Sequence, residues 1–212
     1  MGDFKLQGVT PAAGKIKLGS SNVSKIYSGS TQVWVNGYVF ADRAELKTAV
    51  DLWTGTAAQR ASALNTYGEI NSWDTGNVTT MHELFKDKTT FNDDISNWNV
   101  SNVAGGISTT RGMFYMFGGA SSFNQNIGSW NVSSVNNMRS MFFDATAFNN
   151  NGSSSIGNWD VSSVTFFNFM FYQTNFNQDI SAWCVENISS APAAFSTALT
   201  AANTPNWGVT CP

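Results

Sequence analysis

The sequence predicts an α+β repeat protein: a solenoid of about five coils, each a short strand plus a short helix, behind a helical cap and a small N-terminal β arm. Three observations lead there. Five tryptophans recur in one frame, in Ile70-Asn71-Ser72-Trp73, Ile95-Ser96-Asn97-Trp98, Ile127-Gly128-Ser129-Trp130, Ile156-Gly157-Asn158-Trp159 and Ile180-Ser181-Ala182-Trp183. A Phe-Asn pair precedes four of those isoleucines, at Phe91, Phe123, Phe148 and Phe176. Charged residues are only 12% of the 212, about half the usual share; Asn, Ser, Thr, Gly and Gln take their place.

The clearest unit runs from Phe123 to Phe142. Trp130 and Val132 alternate with the polar residue between them, as a short strand does. Val135, Met138, Met141 and Phe142 then fall at the spacing of one helix face. Ser133 or Ser134 stands where a hydroxyl can cap that helix. The Phe-Asn pair is left for the return turn, where the Asn amide can bond nearby backbone or the matching Asn one coil away. Such a unit has one apolar edge and cannot bury it alone. Stacking is expected to bury a core of Trp73, Trp98, Trp130, Trp159 and Trp183, with Phe91, Phe123, Phe148 and Phe176. Ile95, Ile127, Ile156, Ile180, Met138 and Met141 join it. Strand, turn, helix and return make one coil of a leucine-rich-repeat-like, right-handed solenoid over residues 69–212. Insertions at Ala104–Gly112 and Asn150–Ser155 read as external loops. In the fifth unit Ala191 and Ala194 replace methionine and Pro192 interrupts, as befits a terminal coil.

Ahead of the repeat, Asp42–Trp53 reads as a helix, with Asp42 and Glu45 as a capping box and Leu46, Ala49, Val50 and Trp53 on one face. Thr56 and Gln59 begin a second helix that Tyr67-Gly68 ends. Residues 41–68 are thus expected to cap the first coil. In residues 1–40, Lys15–Gly19, Lys25–Gly29 and Thr31–Val35 alternate between turn clusters, which predicts a β arm. It is short for a core of its own and is expected to pack on the rest of the chain or on a partner.

Composition excludes several functions. Net charge is −3 with no Lys/Arg cluster, which argues against nucleic acid and against anionic membranes. No run reaches the roughly 18 apolar residues of a membrane span, so no membrane insertion is expected. Met1–Lys5 lacks the apolar region of a signal peptide; lysis or particle assembly is the expected route if the chain works outside a cell.

Catalysis needs a base, a nucleophile or a metal, and the lone histidine, His82, reads as structural or exposed. No nucleophile elbow or P-loop occurs. The chain is therefore expected not to be an enzyme, and no catalytic, cofactor or metal residue is assigned. Asp93, Asp94 and Asp179 could ligate Ca²⁺ through oxygen or cap turn backbone, and capping is the preferred reading. Cys184 and Cys211 are too few for a metal site with His82 so distant. They are either two unrelated thiols or, preferably, a structural disulfide tying the C-terminal tail to the last coil. The Trp and Phe series could form a sugar platform, but its fixed spacing favours core. What remains outside is neutral and rich in amides and hydroxyls, suited to host-surface polysaccharide or a polar protein face.

From about Arg43 to Pro212 the chain resembles the BspA-like surface-protein repeat family, also known as the mycoplasma lipoprotein-associated repeat or DUF285. The pattern Phe-Asn-x-Asp-Ile-Ser-x-Trp-x-Val-Ser-x-Val-x-x-Met-x-x-Met-Phe carries the resemblance, best kept at Phe91–Val103 and Phe123–Phe142. The lead-in Ala44–Trp53 and the ending Trp207-Gly208-Val209-Thr210-Cys211-Pro212 are similar to the family's as well. The resemblance implies a surface or extracellular, non-enzymatic protein with a role in adhesion. Ile16–Trp34 resembles a short module of tailed-phage structural proteins. Together these imply a virion structural protein of the capsid-decoration, head-fibre or tail-fibre type. Residues 1–40 would dock on other virion proteins while the repeat projects outward, with self-association allowed. A secreted bacterial adhesin is the alternative.

Overall fold

A computed structural model describes residues 37–104 and 111–211, and the main chain of 26–28 and 31–33. In the latter, β1 (Ile26–Ser28) pairs antiparallel with β2 (Thr31–Val33), Tyr27 opposite Gln32. The expected strand at Lys15–Gly19, and most of the docking segment 1–40, lie outside the described residues.

Helix α1 (Arg43–Trp53) starts where the Asp42 carboxylate accepts the Glu45 N–H. Glu45 does not close the box on Asp42: its carboxylate accepts from the Ala41 N–H at 2.8 Å and from the Tyr38 hydroxyl. That bond to a carboxylate, with burial second, pushes the Tyr38 phenol up to about 12. Helix α2 (Ala57–Tyr67) has the full reciprocal box between Thr56 and Gln59 and ends at Gly68, whose φ of 78° is costly for any residue with a Cβ. The α1 face Leu46, Ala49, Val50 and Trp53 is buried, whereas α2 buries only Ala63.

The repeat region is not the predicted leucine-rich-repeat-like solenoid of about five strand-plus-helix coils. Among its described residues there is no α-helix and no strand; only short 3-10 turns and isolated parallel bridges interrupt the turns and bends. The hydrogen bonds give the reason. Met138, Ser140, Phe142 and Asp144 send their N–H groups to the carbonyls of Phe166, Asn168, Met170 and Tyr172 in the next coil, each at 2.9 Å. The alternate residues Met141 and Phe143 turn back to Met138 and Ser140, three behind. An α-helix keeps its bonds within itself at four residues and φ negative throughout; here Ser140 and Asp144 have φ of 54° and 56°. The segment that mimics a helix face is a run of tight turns whose every second N–H crosses to its neighbour. The same pattern links Met81–Asp87 to Gly112–Gly118 and Met113–Gly119 to Asn137–Phe143. The segment around Trp130, predicted as a strand, is also turns: Trp130 N bonds Ile127 O and Val135 N bonds Val132 O.

This stacking aligns the aromatic side chains. Phe85, Phe117, Phe142 and Phe171 form one column of parallel rings with centroids 5.3–5.5 Å apart. Phe91, Phe123, Phe148 and Phe176 form a second at 5.8–5.9 Å. Within each coil the two columns touch at 3.8–4.1 Å. Offset stacking of this kind contributes about 0.5–1.5 kcal/mol per pair beyond area burial. Trp73, Trp98, Trp130, Trp159 and Trp183, the isoleucines Ile95, Ile127, Ile156 and Ile180, and Met138 and Met141 are all buried beside them. A third, polar column holds the return turns. Asn92 Oδ1 accepts from Asn124 N, Asn124 Oδ1 from Asn149 N, Asn149 Oδ1 from Asn177 N, and Asn177 Oδ1 from Thr200 N, all at 2.8–3.1 Å.

Both ends are covered. At the first coil Phe40 N and Asp74 N exchange bonds with Asp74 O and Tyr38 O, and the Arg43 guanidinium caps the His82 carbonyl at 2.9 Å through Nε. At the last, Phe169 and Phe171 donate to Ala193 and Phe195, so the coil without methionines still pairs. Trp207 stands edge-on to Phe195 at 5.0 Å. Cys184 and Cys211 form a disulfide across 27 residues, with Cα atoms 5.6 Å apart. In the loop-entropy account a closure of this length stabilises by about 3.5 kcal/mol. Reduction, or Cys184→Ser with Cys211→Ser, is expected to lower unfolding free energy by that order. Urea denaturation with and without a dithiol reads it directly.

Candidate functional site

The residue before each repeat isoleucine is polar: Glu69, Asp94, Asn126, Ser155 and Asp179. Three of them build the same turn. Asp94 Oδ1 accepts from Ser96 N, Asn126 Oδ1 from Gly128 N, and Asp179 Oδ1 from Ser181 N, at 2.9–3.0 Å. A side-chain oxygen bonded to backbone two residues on fixes a turn where no regular element supplies a partner. Cross-bonds tie the coils together: Asn71 Nδ2 to Asp94 Oδ2 at 2.9 Å, Ser129 Oγ to Ser96 O at 3.1 Å, and Ser155 Oγ to Asn126 Oδ1 at 2.9 Å.

Between these turns lies a groove of about 450 Å³, lined by Asp94, Ser96, Gln125, Asn126, Asn151 and Ser155 above Gly128 and Ser129. Gly128 lets the Ser155 wall pack closely against it. A Cβ there would run into the Ser155 side chain and stand 2.7 Å from the Ser155 carbonyl carbon. The 3-10 turns Asn150–Gly152 and Ser154–Asn158 form one wall. They belong to the insertion predicted to loop outside, and that expectation fails at Asn150. Its side chain is fully buried, accepts the Ile127 N–H at 3.0 Å and donates to Ser153 O at 2.7 Å.

The acidic residues considered for Ca²⁺ are not gathered into one cluster. Asp93 accepts from the Trp53 indole at 3.0 Å and pairs with Arg60 at 2.8 Å. Burial pushes the Asp93 carboxyl up, but the Arg60 and Trp53 bonds outweigh it and hold it below the ordinary range. Asp179 is likewise held low by its bonds to Ser181. Among the described residues, Cys184, Glu186 and Cys211 bring three ligating atoms together, but both sulfurs are in the disulfide. The tryptophans do not form a surface platform. Each of the five repeat tryptophans is at most 4% exposed, and Trp98, Trp130 and Trp183 donate their indole N–H to Ile70, Ile95 and Ile156 carbonyls one coil back.

His82 is half-buried, its Nδ1 3.1 Å from Thr80 Oγ1. Burial, then the neighbouring Arg43, lowers its pKa; Glu83 opposes and Arg111 reinforces the shift. The unfolded chain therefore binds a proton at higher pH than the folded chain. Stability is full above the ordinary imidazole range and falls as pH drops through that range towards the folded value. Unfolding free energies from urea titrations are expected to decline between pH 8 and pH 5 by less than about 1 kcal/mol after solvent screening, and His82→Gln flattens that part of the profile.

Sequence reasoning missed the groove, although its signal was present: a polar residue before every repeat isoleucine and a glycine after Ile127. It also missed a half-buried surface column in which the rings of Tyr115, Phe143 and Tyr172 stack at 5.4–5.6 Å.

The family model described as a mycoplasma protein of unknown function, DUF285, matches residues 38–115, 56–155 and 106–207. No curated protein and no solved structure matches the chain.

Proposed function

We propose, from the premise that the chain belongs to the DUF285 family, that it is a non-enzymatic attachment protein displayed on a virion surface. The observation that carries the reading is the division between inside and outside. The repeated Trp, Phe, Ile and Met side chains are spent on the core, while the groove face presents amides, hydroxyls and a single carboxylate. A rigid, weakly charged face of that kind suits recognition of a polar polymer at a host surface. Residues 1–40 supply the docking segment in this reading, and a disulfide suits an oxidising exterior.

A bacterial surface adhesin is the second reading, favoured by the family's description as a mycoplasma protein. An antibody raised on the full chain separates them. Co-sedimentation of the antigen with purified particles supports virion display. Antigen confined to the cell envelope supports the adhesin and overturns virion display. Antigen found only in soluble cytoplasm overturns both.

A further inference from the structure

The geometry points to the groove at Asp94, Asn126 and Ser155 as a site for a linear neutral polysaccharide lying along the stack, one hexose to each coil. This rests on the attachment reading and names the polymer that its groove would take.

Direction comes from the repeat. The lining residues come from three successive coils: Asp94 and Ser96 from one, Gln125 and Asn126 from the next, Asn151 and Ser155 from the third. Stacked phenylalanine rings place neighbouring coils 5.3–5.9 Å apart. That is close to the advance of one sugar in an extended β-1,4-linked hexose chain. Equivalent polar groups therefore recur at the period of the polymer, as repeat surfaces do along extended ligands.

Charge comes from the lining. Asp94 is its one ionisable side chain, and it contains no Lys, Arg or His. An acidic polymer would meet a carboxylate with no cation beside it, and like charges at short range are unfavourable. The lining also holds no aromatic ring, so a sugar is held through its hydroxyls and not by stacking on a ring face.

Preorganisation comes from the turns. The oxygens of Asp94 and Asn126 are already committed to Ser96 N, Asn71, Gly128 N and Ser155. These bonds hold the site in one arrangement before ligand arrives, which lowers the ordering cost of binding. Asn126 Nδ2, Gln125 Oε1, Ser96 Oγ and the side-chain amide of Asn151 are the groups that meet the ligand in this reading.

The test is calorimetric titration of the full chain with cellobiose, cellotriose and cellotetraose, with maltotetraose and β-1,4-linked tetramannuronate as comparisons. Affinity is expected to rise from the disaccharide to the trisaccharide and then to level off. The helical α-linked tetramer and the acidic tetramer are expected to bind at least tenfold more weakly. Ser96→Ala with Gln125→Ala leaves the Asp94 and Asn126 turns in place and is expected to weaken cellotetraose about tenfold, the loss of ordinary hydrogen bonds. Length-independent affinity of the unaltered chain, equal binding of the acidic tetramer, or no binding of any β-linked oligomer overturns the assignment without reference to a variant. Host-cell binding measured alongside keeps the two readings apart. Cells captured equally by the unaltered chain and by the double variant overturn the groove and leave attachment standing. Oligosaccharide binding without capture of host cells overturns attachment to that host and leaves the groove.

Discussion

Phe142→Ala is expected to lower unfolding free energy by about 4–5 kcal/mol, the upper part of the range for emptying a buried phenylalanine. Phe142 is wholly buried and sits at the junction of both columns. Its ring lies 5.5 Å from Phe117 below, 5.5 Å from Phe171 above and 3.8 Å from Phe148 in its own coil, within 6° of parallel to each. Removing it opens a void and leaves three stacked faces without a partner. Its main chain is part of the same junction, since Phe142 N bonds Met170 O and Phe117 N bonds Met141 O. Stack stability is roughly a sum of coil and nearest-neighbour terms, so a central loss weakens the interfaces on both sides. Domains of this size hold only about 5–15 kcal/mol in all, so the urea midpoint falls steeply and the transition can split in two. Phe142→Leu keeps most of the volume and is expected to cost about 1–2 kcal/mol. An Ala variant within 1 kcal/mol of the unaltered chain would show that the columns do not hold the coils together.

The repeat and its buried residues were legible because burial is a matter of spacing, and spacing is written in the chain. Trp130, Ile127, Met138 and Phe123 are buried whether a coil is helical or made of turns. The coil's own conformation was not legible for the same reason. Val135, Met138, Met141 and Phe142 satisfy a helix face, yet turns closing at three residues place side chains on one edge with nearly that period. The deciding fact is where alternate N–H groups go, and a neighbouring coil leaves no mark on local pattern. Hints existed in Gly112, Gly119, Asp87 and Asp144, residue types that tolerate left-handed φ, which all four adopt. Phe169 and Tyr115 adopt it too, and no propensity predicts that. The caps α1 and α2 were readable because capping is local: Asp42 to Glu45 and Thr56 to Gln59 each lie within one turn.

The groove was harder to read because it depends on an insertion folding inward. Asn150→Ala is expected to cost about 3–5 kcal/mol, far more than an external loop residue would. Three losses combine. The Ile127 N–H, which bonds Asn150 Oδ1 at 3.0 Å, is left buried without an acceptor, at about 1–3 kcal/mol. The Ser153 carbonyl loses its 2.7 Å donor, about 1 kcal/mol more. Asn150 has φ of 50°, and Asn151 and Gly152 follow at 53° and 74°; alanine bears that left-handed turn less well than asparagine, by about another 1 kcal/mol. Thermal or urea denaturation gives the total, and hydrogen exchange at the Ile127 amide, expected to accelerate more than its neighbours', assigns it to this contact. Asn150→Asp separates the parts, since it keeps the acceptor for Ile127 but removes the donor to Ser153 and buries a charge. If Ala and Asp variants both match the unaltered chain, the insertion is an external loop after all. If Ala is costly, the wall that carries Asn151 and Ser155 is anchored from within by Asn150, and the shape of the groove is a property of the core.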